Sequence, residues 1–267
     1  MARDPDKFAL LHAARRVWAI AAVHGEADRL ARLHDALAPR FTPGDRLVYL
    51  GNLLGRGNQI RGTLDEVLEF RRRLLARPGT FVCDLAYLRG AQEEMWQKLL
   101  QLQFAPNPRS VLEWMLNQGV DATLAAYGGD QRLGMASTRE GALSMTRWTS
   151  ALRSTMQGYP GHFELMAALR RAAYTDDHRL LFVSAGIDPA RPFSEQIDSF
   201  WWGGEGFGRL DQAYGGFARV VRGYDPGHGG PENGPFSTTI DAGCGFGGAL
   251  VAACFLASGD VDDLIET

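Results

Sequence analysis

Val17-Trp18-Ala19-Ile20-Ala21-Ala22-Val23-His24-Gly25 is a run of apolar residues closed abruptly by a histidine and a glycine. So short a run, bounded in that way, predicts a buried strand that ends in a loop. Downstream, Leu30, Leu33 and Leu37 recur at spacings of three and four with charges between them, up to Pro39, which predicts a helix. Arg46-Leu47-Val48-Tyr49-Leu50 repeats the strand pattern and runs into Gly51-Asn52-Leu53-Leu54-Gly55-Arg56-Gly57. Leu64, Val67, Leu68 and Leu74 mark a second helix, and Thr80 to Leu88 a third strand that ends in Arg89-Gly90-Ala91-Gln92-Glu93. Three successive strand-loop-helix units predict an α/β fold, whose ligands sit at loops beyond the carboxyl ends of the strands.

The rest of the chain fits around this core. Residues 1–16 read as a polar N-terminal arm and 17–267 as one domain carrying a helical insertion at about 95–175, with Met145, Trp148, Leu152 and Met156 as core filling on one helix face. Leu180–Val183 and Arg219–Arg222 read as further strands. Thr238–Asp241 and Ala249–Leu256 read as paired strands about the turn Gly243–Gly248.

Composition excludes several classes. With 28 basic and 31 acidic residues, net charge −3, the chain lacks the basic excess of a general nucleic-acid or anionic-membrane binder. No apolar run approaches the roughly 20 residues of a spanning helix. Cys83, Cys244 and Cys254 form no closed set of pairs and no zinc spacing, so a reducing cytoplasm is the expected compartment. The 32 glycines, about 12% against a usual value near 7%, cluster in short turns. Six histidines and 31 carboxylates leave a metal site open by number, so position decides.

In order, the loop segments Ala21-Ala22-Val23-His24-Gly25, Gly51–Gly57, Gly90-Ala91-Gln92-Glu93, Ser184-Ala185-Gly186 and Gly227-His228 resemble the GDxHG, GDxxDRG, GNHE, HAG and GH motifs of the calcineurin-like metallophosphoesterases. Asn117-Gln118-Gly119 and Thr123–Gly128 are similar to the NGG and TLxSYG stretch of the bacterial serine/threonine phosphatase and diadenosine-tetraphosphatase-like branch. The resemblance spans about Val17 to Leu256 and implies two mixed β-sheets packed as a sandwich, flanked by helices.

Members of that superfamily bind two divalent cations, whose shared hydroxide attacks phosphorus. Against the implied ligand set, this chain has Ala22 for the first aspartate, Asn52 for the bridging aspartate, Ala91 for the GNHE asparagine and Ser184 for the HAG histidine; His24 and His228 remain. Gln92 stands at the proton-donor histidine and Gly55 at its aspartate partner, Trp201-Trp202 runs into Gly203 where a phosphate-clamping arginine is usual, and Arg56 is retained. If each lost ligand costs at least the 10 to 100-fold typical of an outer partner, four losses weaken the centre by roughly four to eight orders of magnitude.

The expectation is therefore a catalytically inactive phosphatase-like protein, a pseudophosphatase with no catalytic residue and no cofactor. Its cleft, lined by His24, Asn52, Arg56, Arg89, Gln92 and His228, would bind a protein partner or a phosphorylated ligand. The competing expectation is a divergent phosphoesterase, for phosphoprotein or nucleotide substrates, with one weakly bound manganese, iron or zinc ion on His24, Asn52 and His228. Trp201 and Trp202 are candidate partner contacts. Arg71-Arg72-Arg73 and Arg170-Arg171 read as solvated helical charges, with an anionic-partner patch as the alternative. His12, His34, His162 and His178 read as surface or helix-end residues.

Overall fold

The computed structural model describes residues 7–204 and 206–267. Its strands are β1 (Phe8–Leu11), β2 (Arg16–Ile20), β3 (Asp45–Tyr49), β4 (Leu85–Tyr87), β5 (Ala172–Thr175), β6 (Leu180–Val183), β7 (Arg219–Arg222), β8 (Glu232–Asn233), β9 (Ser237–Thr239), β10 (Val251–Leu256) and β11 (Val261–Glu266). The helices are α1 (Ala27–Leu37), α2 (Ile60–Leu75), α3 (Ala91–Leu99), α4 (Pro108–Met115), α5 (Asp121–Ala126), α6 (Gln131–Glu140), α7 (Ala142–Gln157), α8 (His162–Ala168) and α9 (Ser199–Trp202).

One sheet runs β11-β10-β2-β3-β4, with β2, β3 and β4 parallel; the other runs β1-β5-β6-β7-β9-β8, with β6, β7 and β9 parallel. The strand period of two divides β2 between layers. Val17 and Ala19 join Phe182, Val221 and Phe255 in the apolar layer between the sheets, while Trp18 and Ile20 join Leu30, Leu64 and Phe70 beneath the helices. A third cluster, with Phe193, Phe200, Phe207 and Phe217, covers the outer face of the six-stranded sheet. The expected sandwich of two mixed sheets is present.

The structure alters several local expectations. Residues 1–6 of the N-terminal arm lie outside the described residues, and Phe8–Leu11 of that arm is a strand, parallel to β5 and at the sheet edge. The expected third strand is shorter, because Val82–Asp84 forms a 3-10 turn ahead of β4. β9 and β10 are not partners: they belong to opposite sheets, and only isolated bridges join Ala242 and Gly243 to Ala249. In α7, Met145, Leu152 and Met156 are buried and Trp148 packs partly against the same core.

Two of the histidines expected at the surface or at helix ends are interior. His34 is stacked on Phe70 and bonded through Nδ1 to Glu66 and through Nε2 to the Tyr49 hydroxyl. His162 bridges the Tyr127 hydroxyl and Asp65. Each has a partner at both ring nitrogens, which offsets the cost of burying the imidazole. Among the described residues no helix is long and apolar enough to cross a membrane.

Candidate ligand-binding cleft

The loops that leave the carboxyl ends of the parallel strands are stitched together by backbone hydrogen bonds. Val23 and His24 N–H both donate to the Asn52 carbonyl, Gly57 N–H to that of His24, Ala22 N–H to that of Gly223, and Gly223 and Tyr224 N–H to that of Ser184. The strand ends of both sheets thus meet at one place. Backbone strain marks it independently: His24, Asn52, Arg56 and His228 are four of the six non-glycine residues with positive φ among the described residues. Such conformations cost on the order of 1 kcal/mol each and concentrate at functional sites.

Two buried carboxylates hold this geometry. Glu93 accepts from the N–H groups of Asn52 (2.8 Å), Leu54 (2.9 Å) and Gly90 (2.8 Å), tying the loop after β3 to the start of α3. Burial pushes its pKa up, and those three donors oppose the push. Asp241 accepts from Asp225 N–H, Gly243 N–H and His228 Nδ1, the last at 2.8 Å, which leaves His228 Nε2 as the outward nitrogen. The motif reading singled out neither as a site residue. Glu93 was visible as the last letter of the third motif, whereas Asp241 acts through a contact that no local spacing reveals.

His24 is 2% exposed, and neither ring nitrogen has a hydrogen-bond partner. Burial first, then the charges of Arg56 and His228, lower its pKa to about 3, so the ring is neutral at physiological pH. Asn52 is buried with its Oδ1 accepting from Gln92 N–H at 3.0 Å, which leaves Nδ2 as the unpaired end of the amide. Ser184 Oγ and Gln92 Oε1 are likewise buried without partners. Gln92 Nε2 donates to the Gln118 carbonyl at 2.8 Å. Arg56 N–H donates to the Gly119 carbonyl, and Gly55 N–H to Thr123 Oγ1, so the Asn117–Gly119 and Thr123–Gly128 stretches buttress the loop after β3.

Phe246, absent from the expected site, covers the cluster. Its ring lies 3.9 Å from that of His228 and 5.4 Å, edge-on, from that of His24, with the Arg56 guanidinium 4.1 Å from its centroid. Tyr224 completes the aromatic wall. Phe246 is 40% exposed, on a turn that approaches closely at Gly245, where a Cβ would meet His24 Cβ at 2.4 Å.

The donor set does not fit two divalent cations. The amide at the bridging position spends its oxygen on a backbone N–H and leaves its NH2 buried without a partner, Ala22 and Ala91 offer no ligating side chain, and the His24 imidazole lies behind Phe246. Among the described residues no group of three or more His, Cys, Asp or Glu side chains is arranged to hold a metal. Ser184 makes no hydrogen bond to either imidazole, which removes the geometry of an activated nucleophile.

The remaining sequence candidates divide. His24, Asn52, Arg56, Gln92 and His228 come together, whereas Arg89 pairs with Glu94 at 3.0 Å and lines a neighbouring groove with Arg171 and Trp201. Trp201 is buried in the outer core, which corrects its reading as a partner contact. Trp202 is 42% exposed and packs on Trp114, also exposed, at 5.6 Å.

No protein-family model matches the sequence, and no curated protein sequence matches it. Solved structures share its fold. A candidate diadenosine tetraphosphatase is 18% identical, with a TM-score of 0.54 over 98% of this chain and 97% of that one. A cold-active protein-tyrosine phosphatase of a psychrophilic Shewanella species is 12% identical, with a TM-score of 0.51 over 98% of this chain and 84% of that one. Likeness at such identity is a likeness of fold, and the chemistry rests on the residues in the cleft.

Proposed function

We propose that this chain, whose fold is that of the calcineurin-like metallophosphoesterases, is a pseudophosphatase: a binding or regulatory protein that keeps the phosphatase scaffold without its dinuclear metal chemistry. The observation that carries this reading is the Asn52 amide, whose oxygen is committed to Gln92 N–H where a metal-bridging oxygen would be required. Glu93 and Asp241, which shape the loops, are in place, while the groups that would do chemistry are replaced. Selective retention of strained loops favours a use for the cleft over simple decay of an enzyme.

The ligand class follows from charge. Arg56 and His228 present the outward donors of the cleft, and the interior behind them is neutral. A phosphorylated ligand, or a protein partner presenting one, meets a charge-assisted contact at Arg56. The three unpaired cysteines agree with a cytoplasmic setting.

Titration with phosphoserine by calorimetry tests the reading, beside p-nitrophenyl phosphate turnover with manganese added. The expected result is binding that weakens about tenfold in Arg56→Ala, with no turnover above the metal blank. Manganese-dependent hydrolysis that disappears in His24→Ala would overturn it in favour of the single-metal phosphoesterase.

A further inference from the structure

The arginine clusters of the sequence separate in the fold. Arg72 pairs with Glu69, Arg73 pairs with Asp35 and lies over Phe70, and Arg171 lies over Trp201. Arg71 and Arg170 instead line one cavity of about 730 Å3 at the open edge of the sandwich. Its walls come from β1 and β4, the outermost strands of the two sheets, and from α2 and α8. No lining residue belongs to the His24 cleft.

The lining has a definite chemical character. Phe8, Tyr87 and Tyr174 supply aromatic surface, with Leu68, Leu85 and Leu165 beside them. Arg71 makes no hydrogen bond or ion pair among the described residues, although it is half-buried. Arg170 is anchored beside Tyr87 by its backbone, donating N–H to the Tyr87 carbonyl at 2.8 Å. Tyr87 is buried and its hydroxyl has no partner. Among the described lining residues the single carboxylate, Glu164, is exposed. A half-buried cation with no counter-ion among the described residues, next to an unsatisfied phenol and aromatic walls, is an arrangement that an anion with an aryl body completes.

We propose that this edge cavity is a second binding site, separate from the cleft, for a small aryl anion, a carboxylate or phosphate monoester, held by Arg71 and Arg170 with its ring against Tyr87 and Tyr174. The aromatic walls select a flat body and the two guanidinium groups select negative charge. A neutral amide of the same shape keeps the apolar contacts and loses the ionic one.

Cys83 is a built-in reporter, since it lines the cavity and is exposed while Cys244 and Cys254 are buried. The rate of Cys83 alkylation by iodoacetamide is measured against 2-naphthoate, 2-naphthyl phosphate and 2-naphthamide, with calorimetry as a second readout. At least one of the two anions is expected to protect Cys83 saturably, and its rank against the other distinguishes a carboxylate from a phosphate ligand. The amide should bind at least about tenfold more weakly than the better anion, and Arg71→Gln should weaken that anion by about tenfold or more. Ala168→Trp, which fills the cavity mouth, should abolish protection while the circular dichroism stays native. Equal affinity for amide and anion, an unchanged affinity in Arg71→Gln, or no protection at millimolar ligand would overturn the proposal.

Discussion

Gln92 occupies the space that a side chain at position 55 would need: a Cβ built on Gly55 would meet Gln92 Oε1 at 2.2 Å. The two positions where the resemblance implies an imidazole and its carboxylate partner now hold one amide and one glycine that fit together. The Gln92 side chain fills the space beside Gly55.

Restoring the carboxylate alone should therefore be destabilising. Gly55→Asp adds a clash with Gln92 and places a side chain at φ +84°, for a loss of roughly 1 to 3 kcal/mol in urea unfolding. Adding Gln92→Ala should recover part of that loss, giving a non-additive double-mutant cycle. Additive effects would mean that the two positions do not compete for space.

Glu93 should be a stability residue, although it closes a segment that resembles a metallophosphoesterase motif. Glu93→Ala leaves the N–H groups of Asn52, Leu54 and Gly90 without their acceptor. The expected loss is at least about 3 kcal/mol in urea unfolding, since each buried unsatisfied donor costs about 1 to 3 kcal/mol and the three are not fully additive. A variant of unchanged stability would show that the loop is held by something else.

Acid should destabilise the fold before carboxylates titrate. His24 is held neutral down to about pH 3, and burial likewise lowers the pKa of His34. Both histidines take up protons in the unfolded chain near pH 6.5, so there the unfolded state binds more protons and stability falls as pH drops below that value. For His24 alone the loss is roughly 2 kcal/mol by pH 5. Thermal melts between pH 8 and 5 check it; a flat profile would contradict the burial of both rings.

Phe246 should control access to His24. Phe246→Ala removes the ring that lies 5.4 Å from the imidazole, so water reaches the ring and its pKa rises toward the ordinary histidine value. NMR titration of the His24 ring protons should show no midpoint between pH 5 and 8 in the parent chain and an upward shift in the variant. An identical titration in both would mean that another group seals the site.

The parts of this molecule that are legible in the sequence are those set by short-range pattern. β2, β3, α1 and α2 follow from apolar period, and the cleft loops from glycine-bounded turns. β1 escaped because Phe8–Leu11 is a four-residue apolar run whose partner, β5, lies more than 160 residues away. β9 and β10 were paired by proximity in sequence, but the turn between them carries the chain from one sheet to the other. His34 and His162 stand at helix ends, as their reading has it, but their burial leaves no spacing signal because their partners, Glu66 and Asp65, come from another helix. Phe246 read as part of a glycine turn, since only the fold brings His24, Arg56 and His228 beneath it.

Manganese binding separates a metal-free cleft from a single-metal one. The purified chain, stripped with chelator and titrated calorimetrically with Mn2+ at neutral pH, should show no saturable site up to millimolar metal, and metal analysis after dialysis should find no stoichiometric ion. Tight uptake of one or two equivalents, lost in His24→Ala, would contradict the proposed metal-free binding cleft.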